Sequence, residues 1–178
     1  MINPFSRTFN ATELETFQFL AQTFLFARLK NAEMSRFLPA LHTRKYKRDE
    51  VVFFSGDPSQ ALYIVKSGKI RLTIDVKDTF ETINEVRKSE IFGENALLEN
   101  VKRIYTSIVA SEEAELYVIP HFAIQEVFDS HSKIKAKMMT SLAEFYNQNN
   151  FRLFKSYRSS FGFFNLQEMF DRTTNDER

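Results

Sequence analysis

The chain of 178 residues has no cysteine, no tryptophan, and only four glycines and four prolines. The missing cysteine excludes disulfides, thiolate nucleophiles, zinc–thiolate centres and iron–sulfur clusters together. It also suits a reducing compartment, and a cytoplasmic protein is expected. From Met1 to Lys30 the order of a secretory signal is missing. Arg7 is an isolated charge, and Glu13, Glu15 and Gln18 interrupt the apolar residues that follow. No run approaches the ~18 apolar residues that a membrane span requires. The formal net charge is only +1, so no chain-wide field draws the protein to nucleic acid. Enzyme signatures are missing too. There is no P-loop, no His-Glu-x-x-His and no Gly-x-Ser-x-Gly, and His42, His121 and His131 are scattered. The expectation is a protein that is not an enzyme and requires no metal or cofactor.

Phenylalanine is what the chain has in quantity, with 20 residues. That points to an aromatic core and interface. The length fits one domain with appended helices, large enough to bury a core without covalent staples.

With so few glycines, each position is informative. Gly56 lies in the turn-like run Ser55-Gly56-Asp57-Pro58-Ser59. On either side stand β-like runs, Glu50 to Phe54 and Ala61 to Val65. Gly68 marks a tight hairpin. After it, Ile70, Leu72 and Ile74 alternate with Arg71 and Thr73. Phe80 to Val86, Tyr105 to Ala110 and Ala114 to Ile119 complete the strands. Short strands at this spacing indicate an antiparallel sandwich or barrel. Helical patterns flank the block. One runs from about Ala11 to Leu41 in two pieces, with Pro39 near its end. The other starts near His121 and is long.

The run from Tyr46 through Glu50-Val51-Val52-Phe53, Ser55-Gly56-Asp57-Pro58 and Leu62-Tyr63-Ile64-Val65 to Ser67-Gly68 resembles the signature of the cyclic-nucleotide-binding domain family. Phe92-Gly93-Glu94-Asn95-Ala96-Leu97-Leu98 resembles that family's phosphate-binding cassette, and Glu115 to Pro120 its closing strand. The likeness covers roughly Phe26 to Phe128. It implies a mainly β fold with flanking helices: an antiparallel β-roll, jelly-roll-like and similar to that of the catabolite activator protein, with N-terminal helices and a long C-terminal helix. The segments would be a helical stretch at 1–41, the roll at 42–120, lid and dimerisation helices at 121–157, and a short tail at 158–178.

The cassette has a physical logic of its own. Glycine at a strand-to-helix turn lets the backbone approach a ligand closely. The amides of Asn95, Ala96 and Leu97 would then be donors at a helix start, which suits an anion. The resemblance implies that Glu94 holds a ribose hydroxyl and that Arg103 neutralises the cyclic phosphate with its fork. Glu94 also reads as a carboxylate favoured at a helix start, and Arg103 as a surface residue beside Lys102. The candidate ligand-binding residues are Gly93, Glu94, Asn95, Ala96, Leu97, Arg103, Tyr105 and Thr106.

Two features depart from the family pattern. Asn95 stands where a larger aliphatic residue is usual. Counted forward from Phe92, the arginine position is Arg103, but counted back from Ala110 it is Ile104, so one extra residue lies between. A bulge would absorb it. Ile104, rather than Thr or Ser, after Arg103 leans the resemblance towards cyclic AMP over cyclic GMP.

After the roll, Ile124, Val127 with Phe128, His131, Ile134, Met138, Leu142 and Phe145 step by three and four, as on an amphipathic helix or a two-stranded seam. The resemblance implies a homodimer through this helix, while packing on its own roll is the alternative. No helix-turn-helix DNA-binding domain is expected past Tyr157. A break at Arg158 to Gly162 and a short helix from Asn165 to Phe170 are expected. Lys133, Lys135, Lys137, Arg152, Lys155 and Arg158 interleave with Phe145, Tyr146, Phe151, Phe154 and Tyr157. Such a segment suits a solvated basic helix face, or a protein, membrane or nucleic-acid partner. The expectation is a sensor for cyclic AMP or cyclic GMP that relays binding through the C-terminal helix. The alternative is a degenerate β-roll serving as an interaction or dimerisation module.

Overall fold

The structure, a computed structural model, describes residues 8–76 and 79–160, the last two by backbone alone. The helix expected from Asn165 to Phe170, Gly162 and nearly all of the tail lie outside the described residues. The chain divides into two compact units, Met1–Leu142 and Ala143–Arg178.

Helix α1 (Ala11–Leu20) begins at a reciprocal cap. Asn10 Oδ1 accepts the Glu13 amide at 2.9 Å, and the Glu13 carboxylate accepts the Asn10 amide at 3.0 Å. Helix α2 (Asn31–Met34) is a single turn, and a 3₁₀ turn follows at Leu38–Ala40. Three short pieces therefore replace the two expected. Just past α1, the Thr23 hydroxyl donates to the Leu20 carbonyl at 2.7 Å, an acceptor that a continuing helix would have needed. Phe17, Leu20, Leu25, Phe26, Met34 and Phe37 are all buried.

The strands are β1 (His42–Lys47), β2 (Val51–Phe53), β3 (Ala61–Ser67), β4 (Ile70–Val76), β5 (Thr79–Val86), β6 (Ile91–Phe92), β7 (Thr106–Val109) and β8 (Glu113–Pro120). They form two four-stranded antiparallel sheets, ordered β1-β8-β3-β6 and β2-β7-β4-β5. This is the mainly β roll with flanking helices expected from the sequence. Phe53, Val65, Ile70, Leu72, Phe92, Tyr105, Val109 and Leu116 share the core between the sheets. Tyr117 falls on the other face of β8. There it meets Phe19 of α1 edge to face, at 5.7 Å between centroids, so the N-terminal helix touches that sheet on its outer face.

Strands β1 and β6 carry no sequence signal. β1 is a polar, exposed edge strand, and β6 has only two residues. β5 alternates in sequence but is an edge strand whose residues are exposed as far as Asn84. Gly68 turns the β3–β4 hairpin at φ 84°, and a Cβ there would lie 2.4 Å from the Glu113 carbonyl oxygen.

The C-terminal helix is interrupted. Helix α3 (His121–Ser130) ends at His131, which leaves helical dihedrals (φ −140°, ψ 75°). His131 then opens α4 (Ser132–Ser160), its carbonyl accepting the Ile134 and Lys135 amides. His131 is therefore a junction rather than a rung of one stripe. Ile124, Phe128, Ile134, Met138 and Leu142 are already buried within a single chain. Phe151, Leu153 and Phe154 are the large apolar residues that α4 leaves exposed.

Candidate phosphate cradle

Chain direction reverses at Gly93, which adopts left-handed dihedrals (φ 66°, ψ 27°) and starts the 3₁₀ helix Glu94–Leu97. Left-handed backbone favours glycine, and contact requires it here. A Cβ on Gly93 would lie 2.5 Å from Nη1 of Arg103. That proximity answers the question of where Arg103 points. Its side chain turns inward and is 4% exposed. Neighbouring Ile104, where the backward count places the arginine, is 73% exposed. The chain bends at Ile104 and Tyr105 before β7 begins. The extra residue is shed to solvent, and Arg103 and Tyr105 both face the interior.

The Ser55–Ser59 turn holds the backbone of this segment. The Arg103 amide donates to the Asp57 carbonyl at 2.8 Å, and the Gly56 amide donates to the Arg103 carbonyl at 2.9 Å. Asp57 in turn accepts the Phe54 amide at 2.9 Å. Gly56 and Asp57 thus act as scaffold.

The guanidinium is set by backbone carbonyls and one side chain. Nη1 donates to the Gly93 carbonyl and to Asn95 Oδ1, each at 2.9 Å, and Nη2 donates to the Ala61 carbonyl. Its plane lies over Phe53, with Cζ 4.1 Å from the ring centroid, and 5.7 Å from that of Tyr63. Nε is buried without a partner. No carboxylate among the described residues lies within ion-pair distance of Arg103. Burial therefore lowers the Arg103 pKa, with Tyr63, Tyr105, Glu94 and Asp57 opposing that shift from further away. Burial raises the phenol of Tyr63, helped by Tyr46 and opposed by Arg103 and Arg44.

Tyr105 reaches into the cradle from the other side. Its hydroxyl accepts the Gly93 amide at 2.8 Å and donates to the buried Glu94 carboxylate at 3.4 Å. Thr106 faces elsewhere. Its hydroxyl accepts the Ser55 amide at 3.0 Å, and its carbonyl accepts from Thr73 at 3.4 Å. Ala96 and Leu97 are buried, and their carbonyls bind α3. His121 Nδ1 donates to Ala96 O at 2.7 Å, and Gln125 Nε2 donates to Leu97 O at 3.1 Å.

The structure therefore brings Gly93, Glu94, Asn95, Arg103 and Tyr105 together and places Thr106 with the turn. Sequence reasoning missed Ser59, Ala61, Phe53 and Tyr63 as site neighbours, and His121 and Gln125 as its link to a helix. A backbone acceptor such as Ala61 O leaves no trace in residue identity. A cavity of about 570 Å³ opens beside the cradle, lined in part by His42, Arg44, Ser59, Ala61, Tyr63 and His121. That is within the ~300–1,000 Å³ usual for small-molecule sites. Among the described residues there is no cluster of three or more metal-ligating side chains, and no helix long and apolar enough to cross a membrane.

Comparison with known proteins agrees with this geometry. Residues 43–131 match the family described as the cyclic nucleotide-binding domain. The chain is 35% identical over 96 residues to the cyclic AMP receptor protein of Thermus thermophilus, covering 53% of this chain and 44% of that protein. It is 30% identical over 104 residues to the cAMP-dependent protein kinase regulatory subunit of Mycosarcoma maydis, covering 57% and 20%. The chain thus spans less than half the length of these relatives. Among solved structures, the Thermus thermophilus catabolite activator protein superposes with a TM-score of 0.63 at 25% identity, over 74% of this chain and 62% of that one. The regulatory domain of Toxoplasma gondii protein kinase A, crystallised with cAMP, superposes with a TM-score of 0.62 at 23% identity, over 71% and 49%. The two-sheet roll is thus a known architecture, and the chain belongs to the cyclic nucleotide-binding domain family.

Proposed function

We propose that the chain is a regulatory module, without catalysis of its own, that senses a cyclic nucleotide, cyclic AMP in preference to cyclic GMP. The observation that carries this reading is the Arg103 guanidinium, buried, charged and, among the described residues, without a carboxylate at ion-pair distance. Burying such a charge is costly unless it is paired. A cyclic phosphate monoanion supplies the missing partner. Its ribose hydroxyl falls to Glu94, whose carboxylate exchanges the Tyr105 hydroxyl for it. The named relatives that bind or respond to cyclic AMP support the choice of ligand, as does Ile104 in place of a hydroxyl side chain. Movement of the 3₁₀ helix reaches α3 through Ala96–His121 and Leu97–Gln125 and passes on to α4. The module acts as a homodimer through α4. Because the stripe up to Leu142 is already buried, the seam uses Phe151, Leu153 and Phe154. Calorimetry with cyclic AMP and cyclic GMP tests the reading. Saturable heat with tighter binding of cyclic AMP is expected, and neither heat nor a thermal shift at millimolar ligand would end it.

One observation favours a second reading. Tyr105 already satisfies the Gly93 amide, as a side chain would in a roll that serves only as an interaction module. Under that reading neither nucleotide binds, and self-association is independent of both.

A further inference from the structure

The family pattern has an aliphatic residue where this chain has Asn95, and the structure gives that amide side chain three partners. Oδ1 accepts from Arg103 Nη1 at 2.9 Å and from the Ser59 hydroxyl at 2.7 Å. Nδ2 donates to the Lys102 carbonyl at 2.8 Å. Asn95 therefore ties the 3₁₀ helix to the β2–β3 turn and to the backbone beside the arginine. One such side chain fixes three segments of the cradle.

A guanidinium has five N–H donors in a rigid plane. Two on Nη1 are taken by Gly93 and Asn95, and one on Nη2 by Ala61. What remains is the Nε proton, buried and unpartnered, and the second Nη2 proton. In the planar group Nε–H lies on the Nη2 side. We propose that Asn95 is a positioning residue for Arg103: by occupying Nη1, it turns the Nε–Nη2 edge towards the anion. An aliphatic residue leaves Nη1 held by the Gly93 carbonyl alone, with its second proton unpartnered, and orients the fork less firmly. Ser59 supports this indirectly by fixing the orientation of the Asn95 amide. This inference rests on the proposed function for the identity of the anion, but not for the hold of Asn95 on Arg103.

The test uses the full chain labelled with nitrogen-15 in arginine, with Arg103→Lys identifying the Arg103 signals. In the free protein, resolved Nη signals are expected, because three acceptors restrict rotation. Asn95→Leu should average them, and Asn95→Asp, which keeps the acceptor, should leave them resolved. With cyclic AMP, the Nε–H signal should shift in the unsubstituted chain, and Asn95→Leu should weaken binding about ten-fold. Nη signals still resolved in Asn95→Leu would overturn the proposal, as would affinity unchanged or improved in that variant, or an Nε–H signal that binding does not move. If the unsubstituted chain binds neither cyclic AMP nor cyclic GMP, the proposed function and the anion edge fail together. The free-protein Nη signals then still decide whether Asn95 holds the arginine. Should Asn95→Leu fail to fold, the comparison passes to Asn95→Asp and Ser59→Ala, where loss of the resolved signals in Asp and their persistence in Ala would both count against the assignment.

Discussion

Arg103 Nη1 donates to the Gly93 carbonyl at 2.9 Å, across the very space that a Cβ on residue 93 would fill. The glycine's left-handed turn and the arginine's position are one arrangement. Gly93→Ala should therefore act twice. A non-glycine residue at φ 66° costs of order 1–3 kcal/mol, and the new methyl displaces the guanidinium. A lower Tm together with loss of cyclic-nucleotide binding is expected from calorimetry and thermal unfolding. A variant of native affinity would separate the two residues.

Arg103→Ala should abolish binding, and Arg103→Lys should not restore it. Lysine is a point charge without a planar fork and cannot serve Gly93, Asn95 and Ala61 together. Truncating one partner of a buried charge pair costs about 2–5 kcal/mol, which is a weakening of ~30-fold or more in Kd. Titration of both variants against cyclic AMP checks this.

Tyr105→Phe separates the sensor from the pure interaction module. Removing the hydroxyl leaves the Gly93 amide unsatisfied in the free protein, at about 1–3 kcal/mol. In the sensor, the ribose hydroxyl takes the place of the Tyr105 hydroxyl at Glu94, so the same change should leave binding intact. The expected signature is a lower Tm without ligand that recovers on adding cyclic AMP. No recovery would favour the interaction module.

Lys137 of α4 grips Glu33 of α2 through both carboxylate oxygens, at 2.7 and 2.6 Å. Partial burial works to raise the Glu33 pKa. The Lys137 hydrogen bond and charge, with the Lys30 amide and charge, outweigh it and hold the carboxyl below its usual range. A carboxyl depressed in the folded state stabilises at neutral pH, and that contribution is lost as pH falls through the folded value. The pair is partly exposed (33% and 21%), so its worth is about 1 kcal/mol or less. Lys137→Met should lower Tm slightly at pH 7 and flatten the dependence of Tm on acid pH. An unchanged acid profile would assign the pH sensitivity elsewhere.

Most of the roll could be read from the sequence because its central strands are β-branched and apolar, and because glycines mark the turns at Gly68 and Gly93. β1 could not, since His42-Thr43-Arg44-Lys45-Tyr46-Lys47 is an exposed edge with no apolar face to show. The break at His131 was hidden because the apolar steps on either side keep helical spacing through it. At the cradle, Gly93, Glu94 and Arg103 were visible as residue types. The two conflicting counts for the arginine are reconciled by a bend that sequence spacing does not report. The carbonyls of Ala61 and Gly93, which hold the guanidinium, belong to every residue alike and carry no signal.

Ile104, expelled to solvent between two buried members of the cradle, has a practical consequence. The chain contains no native thiol, so a cysteine placed at this single exposed position would take a dye or spin label uniquely. The probe would sit one residue from the arginine on one side and one from the tyrosine on the other, outside the packed interior. Whatever enters or leaves the cradle could then be followed optically in a protein that has no tryptophan of its own to report it.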